Sequence, residues 1–223
     1  ISFIYNQPLW LVTLWMNEMG KDKTVDLCAW FNEQPRLTAR INTVKVSIED
    51  CLKELQNLGW TVEQDKDIPE VVYIDGHQGH LEKAKPVIEG HITFMDKASM
   101  LVAHVVDPQP GDRILDCCAA PGGKSMHMAS LMNNTGAIMS CDIYDHKLDL
   151  MNQNAERLGV SIVSTKLQDG RYLPDYWKEQ FDRVLVDAPC SGLGILQKKL
   201  DMRWRKTEDL LNELPPLQLE ILE

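Results

Sequence analysis

Helical spacing dominates the apolar positions of the first sixty residues. Residues 9–16 form an apolar run with partial helical spacing, which predicts a buried helix, and residues 40–44 fit a short strand. Ser47 and Asp50 have the spacing of a capping box, so a helix is predicted over 48–58. Its apolar face consists of Ile48, Leu52, Leu55 and Leu58. This part of the chain therefore combines helices with a strand.

Residues 60–86 contain short β-branched pieces interrupted by glycine and proline, which predicts strands joined by turns. We place a domain boundary near Pro86, so that residues 1–86 form a small α+β domain. From about residue 98 the pattern changes to an alternation of helix and strand. Helices are predicted at 99–106, 124–132 and around 148–158, and strands at 114–115, 137–141, 162–163 and 184–186. Because such alternation implies a parallel sheet with helices on both faces, residues 87–223 are expected to form a Rossmann-like α/β domain.

Composition places the chain among globular proteins, with 44% hydrophobic and 25% charged residues. The six cysteines have no framework spacing, which predicts reduced thiols. No stretch approaches the roughly 20 apolar residues of a membrane span, so a soluble cytoplasmic protein without a membrane partner is expected.

The net charge of −10 argues against a broadly basic, nucleic-acid-binding surface. Any such contact must therefore come from a local patch. The best candidate consists of Lys198, Lys199, Arg203, Trp204, Arg205 and Lys206. A solvated helix start explains the same run equally well.

The loops after the predicted parallel strands carry the candidate chemistry, because ligands bind beyond the carboxyl ends of such strands. Residues 116–124 contain small residues that allow a ligand to approach the backbone. Asp142 follows the second strand, about twenty residues beyond the glycines, where a carboxylate can accept hydrogen bonds from ribose hydroxyls. Asp169 follows the third strand and either binds an adenine amino group or caps a turn. An adenosine-type ligand fits this arrangement.

Two further observations limit the reading of these loops. The first loop lacks the full G-x-G-x-x-G signature and contains Pro121, which disfavours a nicotinamide dinucleotide. The fourth loop holds Asp187 and Cys190, which are expected to face the same crevice; a thiol there can do covalent chemistry, although most free cysteines are small buried residues. His77 and His80 lie in a glycine-marked turn and are expected to be surface residues rather than metal ligands.

Two motifs resemble those of the RNA 5-cytosine methyltransferases, in particular the bacterial small-subunit ribosomal RNA enzymes of the Sun/Fmu type. They are Cys-Ala-Ala-Pro-Gly-Gly-Lys at 118–124 and Asp-Ala-Pro-Cys-Ser-Gly at 187–192. The resemblance covers nearly the whole chain and includes residues 8–11, 40–43, 96–99, 169–172 and 201–204. It departs from the family at Met95 and Leu200, where glutamine and proline are common.

The resemblance implies that S-adenosyl-L-methionine is the cofactor. The residues implied to contact it are Cys118, Ala119, Ala120, Pro121, Gly122, Gly123, Lys124, Asp142, Asp169 and Asp187. It also implies catalytic roles for Asp187, through a hydrogen bond to the cytosine ring, and for Cys190, through release of methylated RNA. The family's attacking cysteine lies in a Thr-Cys motif further along the chain. No such motif precedes Glu223, so these 223 residues are expected to bind cofactor weakly and not to methylate RNA.

The chain starts at Ile1 and stops within an apolar stretch, so a fragment cut at both ends, with an incomplete catalytic domain, is expected. An exposed strand edge would then favour self-association. The expected partner is RNA, with 16S ribosomal RNA favoured, transfer RNA as the alternative and no DNA contact, and residues 1–86 are expected to help bind it. A second hypothesis, of a different class, is a non-catalytic RNA-binding or cofactor-sensing module of the same fold. A third hypothesis is a nicotinamide-dependent dehydrogenase.

Overall fold

The computed structural model describes residues 1–77 and 79–223. The helices are α1 (Ser2–Tyr5), α2 (Leu9–Met19), α3 (Lys21–Trp30), α4 (Ile48–Asn57), α5 (Lys85–Ile88), α6 (Lys97–Val106), α7 (Gly123–Leu131), α8 (Asp145–Leu158), α9 (Met202–Arg205) and α10 (Leu210–Leu222). The strands are β1 (Leu37–Ile41), β2 (Thr61–Gln64), β3 (Val71–Gly76), β4 (Ile92–Phe94), β5 (Arg113–Asp116), β6 (Ala137–Asp142), β7 (Val163–Leu167) and β8 (Arg183–Leu185). Short 3₁₀ segments lie at Leu81–Lys83, Asp175–Trp177 and Leu193–Ile195.

The chain divides into two compact units, one made of residues 1–35 with 189–223 and the other of residues 36–188. The first unit is helical. Its core contains Leu11, Val12, Trp15, Cys28, Phe31 and Leu196. The rings of Trp15 and Phe31 stack with centroids 5.5 Å apart. The predicted buried helix at 9–16 is thus confirmed as the longer α2.

An antiparallel sheet of order β2-β3-β1-β4 opens the second unit. Helix α4 contributes Cys51 and Leu55 to a core shared with Ile41, Val72 and Ile92 from the strands. The predicted cap is confirmed, since the hydroxyl of Ser47 accepts the Asp50 N–H at 3.1 Å.

The strand predicted at 40–44 is shifted, because β1 ends at Ile41. The backbone carbonyl of Asn42 accepts the N–H groups of Lys45 and Val46, so the chain turns where the strand was expected to continue. β4 lies after the boundary predicted near Pro86, yet it pairs with β1. The compact units therefore do not coincide with the predicted domains 1–86 and 87–223, and that division remains a prediction.

A parallel sheet of order β7-β6-β5-β8 completes the second unit. The predicted helices and strands of this region are confirmed with shifts of a few residues at their ends. One face of the sheet packs on α7 and α8 through Ile114, Ile138 and Leu185. On the opposite face, Met139 of β6 and Ser164 of β7 lie beside Tyr176 and Trp177, in the segment around the 3₁₀ turn Asp175–Trp177.

Asn42 links the antiparallel sheet to helix α8. Its side-chain amide donates to the carbonyl of Gly90, next to β4, and to the carbonyl of Leu158, the last residue of α8, at 2.8 Å each. Thr43 adds a 2.7 Å hydroxyl contact to Ser130 of α7. No helix among the described residues is long and apolar enough to cross a membrane.

Candidate cofactor site

The loop between β5 and α7 is fixed by hydrogen bonds to neighbouring strands. The N–H of Cys117 donates to the carbonyl of Leu185, and the N–H of Ala119 donates to that of Cys141 at 2.8 Å. Gly122 has a φ of +93°, and a Cβ there would lie 3.1 Å from the Met151 side chain. The glycine therefore meets both a conformational and a packing requirement.

Helix α7 begins directly after this loop. Its N-cap is Gly122, which has no side chain to accept the first helical N–H groups. The start of the helix therefore offers backbone donors and a partial positive charge to an acceptor group of a ligand.

Acidic side chains stand at or just beyond the carboxyl ends of the four strands of the parallel sheet, and three of them are the ones that the sequence analysis singled out. Asp142, at the end of β6, is 7% exposed and accepts the N–H of Tyr144 at 3.0 Å. Asp169 follows β7 and forms a salt bridge with Arg171 at 2.7 Å, and the hydrogen bonds from Arg171 lower its pKa. Asp187 follows β8 and pairs with Lys124.

Asp116 is the acidic residue that the prediction omitted from the site. It is the last residue of β5 and is 1% exposed. Burial raises its pKa to about 6, although Ser125 donates to Oδ2 at 2.6 Å and opposes the shift. Its Oδ1 atom is buried and has no hydrogen-bond partner among the described residues. The one signal in the sequence was its place directly after a buried strand.

The thiol of Cys118 lies among these carboxylates. Burial raises its pKa to about 11, and the negative charges of the acidic residues add to the effect. Those residues are Asp116, Asp142, Asp187 and Asp169. The structure thus brings the predicted loop and the predicted acidic residues to one edge of the sheet, and it makes Cys118 a neutral thiol. Burial likewise raises the pKa values of Cys117 and Cys141 to about 12.

Cys190 belongs to the other compact unit, where its side chain is exposed. Asp187 is the penultimate residue of the unit that holds the acidic edge. The expectation that these two side chains face one crevice therefore stays a prediction.

The cluster of the buried residues Glu70 and His127 with the partly buried His104 has the residue types of a metal site. Its Nε2 atoms on His104 and His127 lie 2.6 and 2.9 Å from Glu70 Oε1, so the carboxylate already joins both rings. Burial lowers the pKa of His127 to about 4, the bond to Glu70 opposes this, and the charge of Arg40 lowers it further. A divalent cation would meet that guanidinium charge in the same interior, which favours a structural role for the cluster. His77 and His80 are exposed, as predicted.

Not all side chains of the candidate basic patch at 198–206 are exposed. Arg203 is 2% exposed and donates to the carbonyls of Phe31 and Leu196 and to the side chain of Asn32. Arg203 therefore has a structural role, since it connects α9 to the end of α3. The prediction that it belongs to an RNA-binding surface patch is wrong. Trp204 is 60% exposed and stays available at the surface.

Comparisons with known proteins find matches for an amino-terminal and a carboxyl-terminal part of the chain. Residues 103–223 match the family model described as 16S rRNA methyltransferase RsmB/F, and residues 7–79 match that of the RsmF/B-like, ferredoxin-like domain. A relative in Bacillus subtilis, a probable ribosomal RNA small subunit methyltransferase B, is 36% identical over 97% of this chain and 48% of its own length. The ribosomal RNA small subunit methyltransferase B of Klebsiella pneumoniae is 31% identical over 98% of this chain and 50% of its own.

Solved structures give the same picture of the fold. The crystal structure of PH0851 superposes with a TM-score of 0.93 at 33% identity, over 99% of this chain and 50% of that one. The structure of NSun6 from Pyrococcus horikoshii with SFG superposes with a TM-score of 0.87 at 22% identity, over 96% and 78%. The chain spans about half the length of the curated relatives it matches.

Proposed function

We propose, since the chain belongs to the RsmB/F family of 16S rRNA methyltransferases, that this protein methylates carbon 5 of a cytosine in 16S ribosomal RNA, with S-adenosylmethionine as the methyl donor. The observation that carries the proposal is the acidic edge of the parallel sheet, where loop 118–124 meets Asp142, Asp169 and Asp187. Membership supports the reaction class, and the residues at this edge support the cofactor.

The charge of this edge suits the cofactor. S-adenosylmethionine carries a positive sulfonium, and the carboxylates around Cys118 favour a cation beside them. Gly122 has no side chain, so a ligand can approach the backbone closely there. The buried Oδ1 atom of Asp116 accepts no hydrogen bond from the described residues. The residues present therefore fit the group, which when bound supplies an electrophilic methyl.

Each acidic residue has a separate role in the proposal. Asp142 accepts hydrogen bonds from the ribose hydroxyls, and Asp169 accepts one from the adenine amino group. Asp187 binds the cytosine ring nitrogen as charge shifts in the reaction, and Lys124 holds its carboxylate in place. The N–H groups at the start of α7 bind an acceptor group of the cofactor.

Cysteine chemistry completes the proposal. A thiolate adds to carbon 6 of cytosine, which makes carbon 5 nucleophilic enough to take the methyl group and release S-adenosylhomocysteine. A base then removes the proton from carbon 5, the carbon 5–carbon 6 double bond forms again, and the thiolate leaves carbon 6. We assign Cys190 to the release of methylated RNA. The nucleophile belongs to a Thr-Cys motif that these 223 residues do not contain, so by themselves they bind cofactor without transferring methyl.

Ribosomal RNA is the proposed partner because the resemblance and the second family model both extend into the amino-terminal part of the chain. Residues 1–86 are proposed to contribute to RNA binding. A transfer RNA substrate would make the same use of the acidic edge, and a cofactor-sensing module would bind cofactor without any methyl transfer.

Calorimetric titration with S-adenosylhomocysteine tests the cofactor site. We expect binding by the parent, loss of binding in Asp142→Ala, and normal binding in Asp149→Ala, which removes an exposed carboxylate of α8. Nicotinamide adenine dinucleotide is the control ligand and should not bind. A folded parent protein that does not bind S-adenosylhomocysteine would overturn the assignment of the cofactor site.

Transfer of tritiated methyl to 16S and to transfer RNA tests the substrate, with the position of the label read by mass spectrometry of the nucleosides. Label in 5-methylcytidine of 16S RNA supports the proposal for the protein in its complete form. Turnover by the 223 residues alone would contradict the missing-nucleophile argument.

A further inference from the structure

A cavity of about 230 Å³ lies on the face of the parallel sheet that does not pack on α7 and α8. Its floor is formed by two pairs of residues that face each other in register, Arg113 with Ala137 and Met139 with Ser164. The segment after β7 covers it. The covering side chains are Tyr176, Trp177, Gln180 and Phe181.

The aromatic rings of the cover are set at right angles. Trp177 and Phe181 have centroids 5.7 Å apart at 84°, and Tyr176 and Trp177 have centroids 6.2 Å apart at 85°. Tyr176 is 70% exposed. Aromatic side chains are the groups on which the bases of single-stranded nucleic acids stack.

Two cations accompany the rings. Lys166 lies on the same face of β7 as Ser164; its ammonium is 4.5 Å from the centroid of the Trp177 ring and donates to the Tyr176 hydroxyl at 3.2 Å. The guanidinium carbon of Arg113 lies 5.9 Å from the Phe181 centroid. Among the described residues, neither cation has an ion pair with a carboxylate.

The segment that covers the cavity also carries the acidic residues Asp175, Glu179 and Asp182, and two of them have partners of their own. Asp175 forms a salt bridge with Lys178 at 2.9 Å. Asp182 accepts the backbone N–H of Arg113 at 2.7 Å. Lys166 and Arg113 therefore hold two cationic side chains beside the aromatic rings, in a position to pair with a phosphate group.

The cavity is separate from the cofactor site. Arg113 and Ala137 are the first residues of β5 and β6, whereas Asp116 and Asp142 are the last residues of the same two strands. At roughly 3.3 Å per residue, the three steps along β5 and the five along β6 place the two edges about 10–17 Å apart.

We propose that this cavity binds one unpaired nucleotide of an RNA, with the base among the rings of Tyr176, Trp177 and Phe181 and the phosphate facing Lys166 and Arg113. Its volume is below the roughly 300–1,000 Å³ of drug-sized pockets, which suits a single base. That the RNA is the methylation substrate rests on the proposed function; the binding itself does not require methyl transfer.

Fluorescence anisotropy with a labelled single-stranded oligoribonucleotide of twelve mixed nucleotides tests the proposal on the protein. Trp177→Ala should weaken binding about fivefold to a hundredfold, the range for loss of one stacked base. Trp177→Phe should retain most of the affinity, and Lys166→Glu should weaken binding and reduce its salt dependence. Leu150→Ala, which shortens an exposed apolar side chain of α8 in the same unit, is the control and should bind normally.

S-adenosylhomocysteine titration of every variant separates the two proposals and checks folding. Unchanged RNA affinity in Trp177→Ala, with cofactor binding intact, would overturn the nucleotide site; this is also the result expected if the cavity instead receives a protein. A parent that binds the oligoribonucleotide through Trp177 but not S-adenosylhomocysteine would support the nucleotide site and count against the proposed function.

Discussion

The ammonium group of Lys124 lies 2.5 Å from a carboxylate oxygen of Asp187. The pair joins the first turn of α7 to the end of β8, so the residue that closes the cofactor loop also orients the residue assigned to the cytosine ring. Its side chains are 22% and 47% exposed, so the contact is more a positioning device than a source of stability.

Replacing Lys124 with methionine should lower methyl transfer by the complete enzyme at least tenfold while changing its free energy of unfolding by less than about 1 kcal/mol. Lys124→Arg should recover part of the rate. The control is Lys53→Met, which breaks a surface pair with Glu49 of similar length, 2.7 Å. A full rate in Lys124→Met would rule out the positioning role.

Gly90 should be intolerant of any side chain. Its φ is +72°, and a Cβ would lie 2.2 Å from the backbone carbonyl oxygen of Arg157. Gly79 has a similar φ of +76° with open space around it, so Gly79→Ala carries the backbone strain alone, about 1 kcal/mol. Gly90→Ala should cost at least about 2 kcal/mol more in urea unfolding. Equal effects in the two variants would show that the clash is relieved.

Asp116 should make the protein less stable as the pH rises. The folded state raises the pKa of this group from 3.8 to about 6, so it holds the proton more tightly than the unfolded chain does. Its contribution is therefore greatest below pH 3.8 and is lost as the pH rises through about 6. From pH 4 to pH 7, the stability of Asp116→Asn relative to the parent should improve by about 1–3 kcal/mol.

Urea unfolding at both pH values measures this difference, with Asp149→Asn as an exposed control. A relative stability of Asp116→Asn that does not vary with pH would mean that Asp116 does not titrate in this window.

The contribution of His127 to stability should have the opposite pH dependence to that of Asp116. Burial lowers its pKa from 6.5 to about 4, so its contribution is present above pH 6.5 and is lost as the pH falls toward 4. His127→Ala should cost about 2–4 kcal/mol at pH 7, because it opens a cavity and removes one partner of Glu70. The exposed His77→Ala should cost little. Thermal unfolding of parent and variant between pH 4 and pH 7 provides the check: the cost of His127→Ala should shrink as the pH falls toward 4, and a cost that does not vary with pH would contradict the prediction.

Local sequence signals predicted the elements that depend on neighbours in the chain. Ser47 with Asp50 located the start of α4, and the small residues of 118–124 located the loop at the acidic edge. Each signal works because its donors and acceptors lie a few positions apart.

Long-range contacts gave no such signal. Glu70 meets His104 and His127, which are 34 and 57 positions away, and each residue alone has the character of a surface side chain. Arg203 lies in a basic run that resembles solvent-facing sequence, yet its acceptor Phe31 is 172 positions earlier. Burial of these polar residues follows from tertiary packing, which periodicity does not record.

The amide of Asn42 has consequences for dividing this chain into pieces. Both of its hydrogens are used, one on Gly90 and one on Leu158. A cut at residue 86 would deprive the Leu158 carbonyl, the Ser130 hydroxyl and the His127 ring of their partners Asn42, Thr43 and Glu70. The antiparallel sheet is thus part of the interior that supports α7 and α8, and grafting the methyltransferase half onto another protein would require carrying this sheet with it.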